Sequence, residues 1–239
     1  MGLRRMTETE WLECISPEEM LVFLGERASP RKKRLFACAC VRRIWPLLTD
    51  DRLRRAVKAA ERFADGRVSA KVLAKAREGV KHLRVKPIVR EAVAALLPEQ
   101  GPILERPRDI REPLDVVSAT RTVRSAARAL EAQHETDAAA PVEPIRRLPS
   151  LDAVELVREI FGNPFRPVIF DPNWLSWKET VVLKMAQVIY RKRCFRNVPL
   201  LADALEAAGC RDADILTHCR APIEHVRGCW VVDALLGKT

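Results

Sequence analysis

Glycine is scarce in this chain, nine in 239 residues and never clustered. That scarcity argues against the glycine-rich loops whose bare backbone cradles nucleotide phosphates, and neither GxSxG nor HExxH occurs. Aromatic residues make up only 5% of the total, with a single tyrosine, and histidine appears four times. No apolar run approaches the roughly 20 residues of a bilayer span, so no membrane association is expected. The N-terminus shows no apolar signal core behind Arg4 and Arg5, and Met6 stands where a myristoylation signal carries Ser or Thr. The seven cysteines are odd in number and unevenly spread, which does not suit a disulfide framework. The expectation is a cytoplasmic protein whose thiols are reduced and mostly buried as small apolar side chains.

What is present is helix-forming and basic. Apolar residues reach 48%, enough for a real core, and Ala, Leu, Val and Arg dominate, which favours helices over sheets. The formal charge is +10, concentrated between Arg27 and Arg62, where twelve Lys or Arg face Asp50, Asp51 and Glu61. Such a patch can attract polyanions.

Helix starts are legible along the chain. Thr7 or Thr9 caps a first helix, and Ser16-Pro17 and Ser29-Pro30 open two more, with proline at the first helical position. The third has apolar residues at nearly every position from 35 to 41, which predicts a central, mostly buried helix ending near Pro46. Further helices are expected over about 50–64, from Ser69 to Lys86, and over 88–97. Residues 98–113 and 137–149 are proline-rich loops flanking an Ala/Arg-rich helix over about 114–134. Helices are then expected from Ser150 to Gly162, over 176–193, 200–208 and 212–218, and from His225 to Leu236. Val168-Ile169-Phe170 is a candidate short strand with no partner in sight. The fold class is therefore all-α, a multi-helix bundle or two packed helical lobes: 1–97, a connecting stretch 98–149, and 150–239.

Two groups of residues carry candidate chemistry. The C-terminal stretch holds Cys210, His218, Cys219, His225 and Cys229, soft and borderline donors of the kind zinc takes at tetrahedral reach. No CxxC pair supports it, and adjacent ligands such as His218 and Cys219 are awkward on one helix; the plain alternative is buried thiols and two histidines near helix ends. Pairing of His225 with Cys229, one helical turn on, is geometrically fair, but nothing else marks a nucleophile with its base. Cys38 and Cys40, two apart on a helix, point in different directions and fit core packing. The second group is Lys32, Lys33, Arg34, Arg42, Arg43, Arg54 and Arg55, a stripe suited to a nucleic-acid backbone, though no helix-turn-helix, zinc-finger or RNA-recognition signature accompanies it. The plain alternative is solvated charge paired with nearby acids. Phe165, Phe170, Trp174 and Trp177 form an aromatic group that reads as packing or as a partner groove.

Two stretches, TETEWLEC…PEEMLVFLGERAS with RKKRLFACACVRRIWPLLTDDR, and REIFGNPFRPVIFDPNWLSW with AGCRDADILTHCRAPIEHVRGCWVVDALLGK, resemble an uncharacterised protein family abundant in planctomycete bacteria. The resemblance spans both ends, roughly two thirds of the chain. It implies a cytoplasmic setting and supplies no catalytic residues. The expectation is a non-enzymatic protein-interaction or adaptor module, with a nucleic-acid-associated protein or a structural zinc site as alternatives.

Overall fold

The computed structural model describes residues 6–97 and 149–238. Eleven α-helices make up the described chain: α1 Glu8–Glu13, α2 Pro17–Leu24, α3 Pro30–Arg43, α4 Asp51–Ala64, α5 Ala70–Lys81, α6 Pro87–Ala94, α7 Pro149–Phe161, α8 Pro172–Lys192, α9 Val198–Ala207, α10 Ala213–Arg220 and α11 Trp230–Leu235. No strand occurs among the described residues, so the architecture is all-α. Val168–Phe170 carries no regular secondary structure, with Ile169 88% exposed; an isolated strand has no ladder to hold it. None of the described helices is long and apolar enough to cross a membrane. The expected proline-rich loops and the helix over 114–134 lie outside the described residues, except Pro149, which opens α7.

Two compact units divide the chain inside α7, between Arg158 and Glu159. In the first, side-chain caps set the helix starts. Thr7 and Glu10 close a capping box on α1, Ser16 accepts the Glu19 N–H, Ser29 accepts the Lys32 N–H, and Asp50 accepts the Arg52 N–H. Pro17 and Pro30 occupy first helical turns, where a missing N–H costs nothing. α3 is the core helix, with every side chain from Lys33 to Val41 buried, and it packs against α4, which in turn packs against α5. Cys38 and Cys40 are part of that core, and burial, the largest influence, pushes the Cys40 thiol up to about 12.

Arginine side chains close the unit by binding helix-end carbonyls. Arg34 donates to Leu96 O at 2.8 Å, Arg77 to Leu97 O at 2.7 Å, and Arg158 to the Trp11, Leu12 and Cys14 carbonyls at 2.8–3.1 Å, satisfying the last turn of α1. Arg42 meets the buried Glu61 carboxylate with Nε and Nη2, a two-pronged pair linking α3 to α4.

The second unit is built on α8 to α11. Val182, Ala186, Ile189 and Tyr190 of α8 form one core with Leu201 and Leu205 of α9, Ile215 of α10, and Val231, Val232 and Leu235 of α11. Asp171 caps α8 ahead of Pro172, and Asp212 caps α10. α8 starts earlier than the expected Ser176 and is interrupted: Lys178, Glu179 and Thr180 have φ of 41°, 57° and 66°, a left-handed turn between two right-handed segments. The last helix is shorter than expected. It begins at Trp230 rather than His225, with Gly228 at φ 104° holding the chain out of the right-handed helix just before it.

Candidate metal centre

α7 ends at Phe161, and Glu159 sits in its last turn with a side chain only 2% exposed. Gly162 follows at φ 69°, a conformation that suits a residue without Cβ, and an added Cβ there would approach the Trp230 ring to 3.2 Å. α10 carries His218 in its own last turn. The turns from 221 to 229 then bring His225 and Cys229 back towards Glu159. Cys229 is the residue on which α11 starts.

These four side chains converge. His218 Nε2 lies 3.1 Å from Glu159 Oε2 and 3.3 Å from Cys229 Sγ. His225 Nδ1 lies 3.1 Å from the same carboxylate oxygen. One donor atom from each of the four falls within 4.8 Å of all the others. The cluster is largely enclosed: His225 is 2% exposed, Cys229 0%, and His218, the most open of them, 12%.

A second layer of contacts orients each donor. The Val226 backbone N–H donates to Glu159 Oε1 at 3.0 Å and leaves Oε2 to face both imidazoles. His225 Nε2 is 3.3 Å from the Cys219 carbonyl, an acceptor that orients the ring with Nδ1 towards Glu159. The His218 ring lies 5.0 Å from that of Trp230 and 5.1 Å from that of His225, which fixes its plane.

The electrostatics match a site poised for a cation. Burial works to raise the Glu159 carboxyl, but hydrogen bonds from His218 and His225 outweigh it and bring the group down to about 2. The Cys229 thiol is pushed well above its ordinary value, first by burial and then by the Glu159 carboxylate, with the Val232 and Val231 N–H groups pulling the other way. Without a cation the centre thus pairs a buried carboxylate with two imidazoles and a protonated thiol. Zinc donors stand about 2.0–2.3 Å from the ion, so neighbours on a tetrahedron are roughly 3.3–3.7 Å apart. The 3.1–3.3 Å separations here need a slight spreading, and donors as far as 4.8 Å apart need to draw in by about 1 Å.

Of the five residues singled out in the sequence, His218, His225 and Cys229 come together and two do not. The Cys210 thiol is buried in the helical core of the unit. Cys219 is one position past His218, about 100° round the helix, and its side chain packs into the same core while its carbonyl serves His225. Its thiol is pushed up to about 12, by burial foremost. Glu159 was missed. The signal was a charged residue set among the buried Leu156, Val157 and Ile160. His225 and Cys229 do meet the same centre, on turns rather than on one helical face.

The basic residues fare differently. Lys33 and Arg34 are buried at 7% and 3%, Arg34 with its guanidinium over the Phe63 ring, so neither is a surface contact. Arg42 is engaged by Glu61. Lys32 and Arg43 are half-buried. Arg54 is half-buried and Arg55 exposed, both on α4. The aromatic residues Phe170, Trp174 and Trp177 are partly buried against the core of the second unit, in line with packing.

Comparison of the chain with protein-family models, with curated proteins and with solved structures returned no match.

Proposed function

We propose that the second unit is organised by one zinc ion bound through Glu159 Oε2, His218 Nε2, His225 Nδ1 and Cys229 Sγ, and that the metal is structural. The observation that supports this reading is the convergence of one oxygen, two nitrogen and one sulfur donor within 4.8 Å in a buried place. A mixed N, S and O set of this kind suits Zn²⁺ better than Mg²⁺ or Ca²⁺, which take oxygen. Four protein ligands complete a tetrahedron, whereas catalytic zinc keeps a position for water. With the metal enclosed, the surface of the unit is left to do the work, and the chain reads as a non-enzymatic protein-interaction module. A cytoplasmic setting fits seven cysteines without a disulfide among them.

Elemental analysis of the full chain, purified without chelator, tests this directly. The expected result is about one zinc per chain, lost in Cys229→Ala and His225→Ala. Under about 0.2 equivalents, with no thermal stabilisation on adding zinc, would overturn the reading.

A further inference from the structure

A different surface, in the first unit, carries a second inference. α4 presents Arg55, Lys58 and Arg62 to solvent, with Arg54 half-buried beside them. Positions 55, 58 and 62 share one helical face, at steps of about 4.5–6 Å along the axis. Long cations on a helix are usually neutralised by acids nearby, but here the acids are engaged elsewhere. Asp50 pairs with Arg52 at 2.8 Å, Asp65 with Arg31 at 3.3 Å, and Glu61 with Arg42. Asp51, one turn before Arg55, is the carboxylate left on this face. No described carboxylate bridges Arg54, Arg55, Lys58 or Arg62.

Trp45, in the turn after α3, gathers part of this charge. Three cations stand over its ring, Arg42 at 4.7 Å, Arg54 at 5.8 Å and Lys58 at 6.0 Å. Glu61 balances the first; the other two are held over the indole with no counter-charge. Cation–π contact restrains side chains that otherwise lose much rotamer entropy when they bind. Preordered cations cost less to dock on an anion.

We propose that the outer face of α4, with Arg54, Arg55, Lys58 and Arg62 set around Trp45, binds the phosphate backbone of a nucleic acid. A row of cations one helical turn apart fits a chain of phosphates better than it fits one isolated anion. Trp45 acts as a positioning residue. The surface reads phosphates and carries no side chain set for base edges, so binding is sequence-independent.

The test uses the full chain and fluorescence anisotropy with a labelled oligonucleotide of about twenty residues at low salt, about 50 mM. Poly-glutamate and anionic phospholipid vesicles are run beside it. Binding is expected to weaken by about tenfold or more in Arg55→Glu/Lys58→Glu/Arg62→Glu, and the dependence of log affinity on log salt should flatten by about 2–3. Thermal unfolding should move little, because the three groups are exposed and only Lys58, 6.0 Å from the Trp45 ring centre, gives up a contact. Should the reversal unfold the chain, the Gln triple variant takes its place with the same expectation in smaller measure. Trp45→Phe should weaken binding less than the triple reversal while leaving the salt slope unchanged. Unaltered affinity in the triple variant, no binding at low salt, or equal binding to poly-glutamate or vesicles would each overturn the proposal.

Discussion

Glu159→Gln is the sharpest test of the proposed metal centre. Gln keeps the shape and the acceptor for the Val226 N–H, and removes only the charge that faces His218 and His225. A structural zinc site is worth about 12 kcal/mol at neutral pH, so one of four ligands carries about 3 kcal/mol, or roughly a hundredfold in affinity. Without metal, the same carboxylate contributes through its two imidazole partners: at about 2 against an ordinary 4.5 it is worth on the order of 3 kcal/mol. The two contributions separate in the assay. Zinc affinity is measured by competition with a chromophoric chelator, and thermal unfolding is followed with zinc and with chelator. The native protein should lose more than about 10 °C when zinc is withdrawn; the variant should bind zinc about a hundredfold more weakly and respond little at micromolar metal. Native-like zinc affinity in Glu159→Gln would refute the carboxylate as a ligand. Insensitivity of the native protein to both zinc and chelator would refute the metal itself.

Zinc binding should release a proton from Cys229, whose thiol burial keeps protonated in the empty centre, so affinity rises as pH rises; a pH-indicator titration that shows no proton release would refute thiolate ligation. In chelator-treated protein, the lowered Glu159 carboxyl contributes stability that is complete above about pH 4.5 and lost as pH falls towards 2. Glu159→Gln should lack that acid limb in an unfolding series, and an unchanged limb would mean that other groups carry it. Ellman's reagent should modify two of the seven thiols quickly in the native protein, the half-buried Cys14 and Cys194, and the other five only on unfolding; a third fast thiol would contradict the packing. Glycine at Lys178 or Glu179 should stabilise the second unit by about 1 kcal/mol each in denaturant unfolding, since both residues hold positive φ; a loss of stability would refute the left-handed turn.

Local signals on the chain were enough to place most helices. Ser16-Pro17, Ser29-Pro30 and Asp212 each announce a start, and the unbroken apolar run of α3 announces its burial, because capping and burial depend on residues within a turn or two. The left-handed turn at Lys178–Thr180 was not legible, since nothing in those side chains demands positive φ. Charge was legible and its use was not. Arg34 and Arg42 belong to the same basic run as Arg54 and Arg55, and only the positions of Leu96, Phe63 and Glu61 divide interior from surface.

The proposed metal centre shows the same limit most plainly. Cys219 has the chemistry of a ligand and lies beside His218, but a step of about 100° on α10 turns it into the core. Glu159 has none of the sequence proximity and completes the set, because the end of α7 and the 221–229 turns meet in space. Without metal, the Val226 N–H and the two imidazoles supply the hydrogen bonds to Glu159, and the buried Cys229 thiol has the His218 ring as its neighbour. A bound divalent cation would be liganded by all four at once, which is the physical ground for proposing a metal here. The same reasoning predicts that replacing the set with packing residues, Glu159→Leu with His225→Leu and Cys229→Ala, removes the dependence on zinc without restoring full stability, since no single apolar arrangement ties α7, α10 and the start of α11 together. A triple variant as stable as the zinc-loaded native chain would show that the centre is dispensable for folding and would move its role from structure to chemistry.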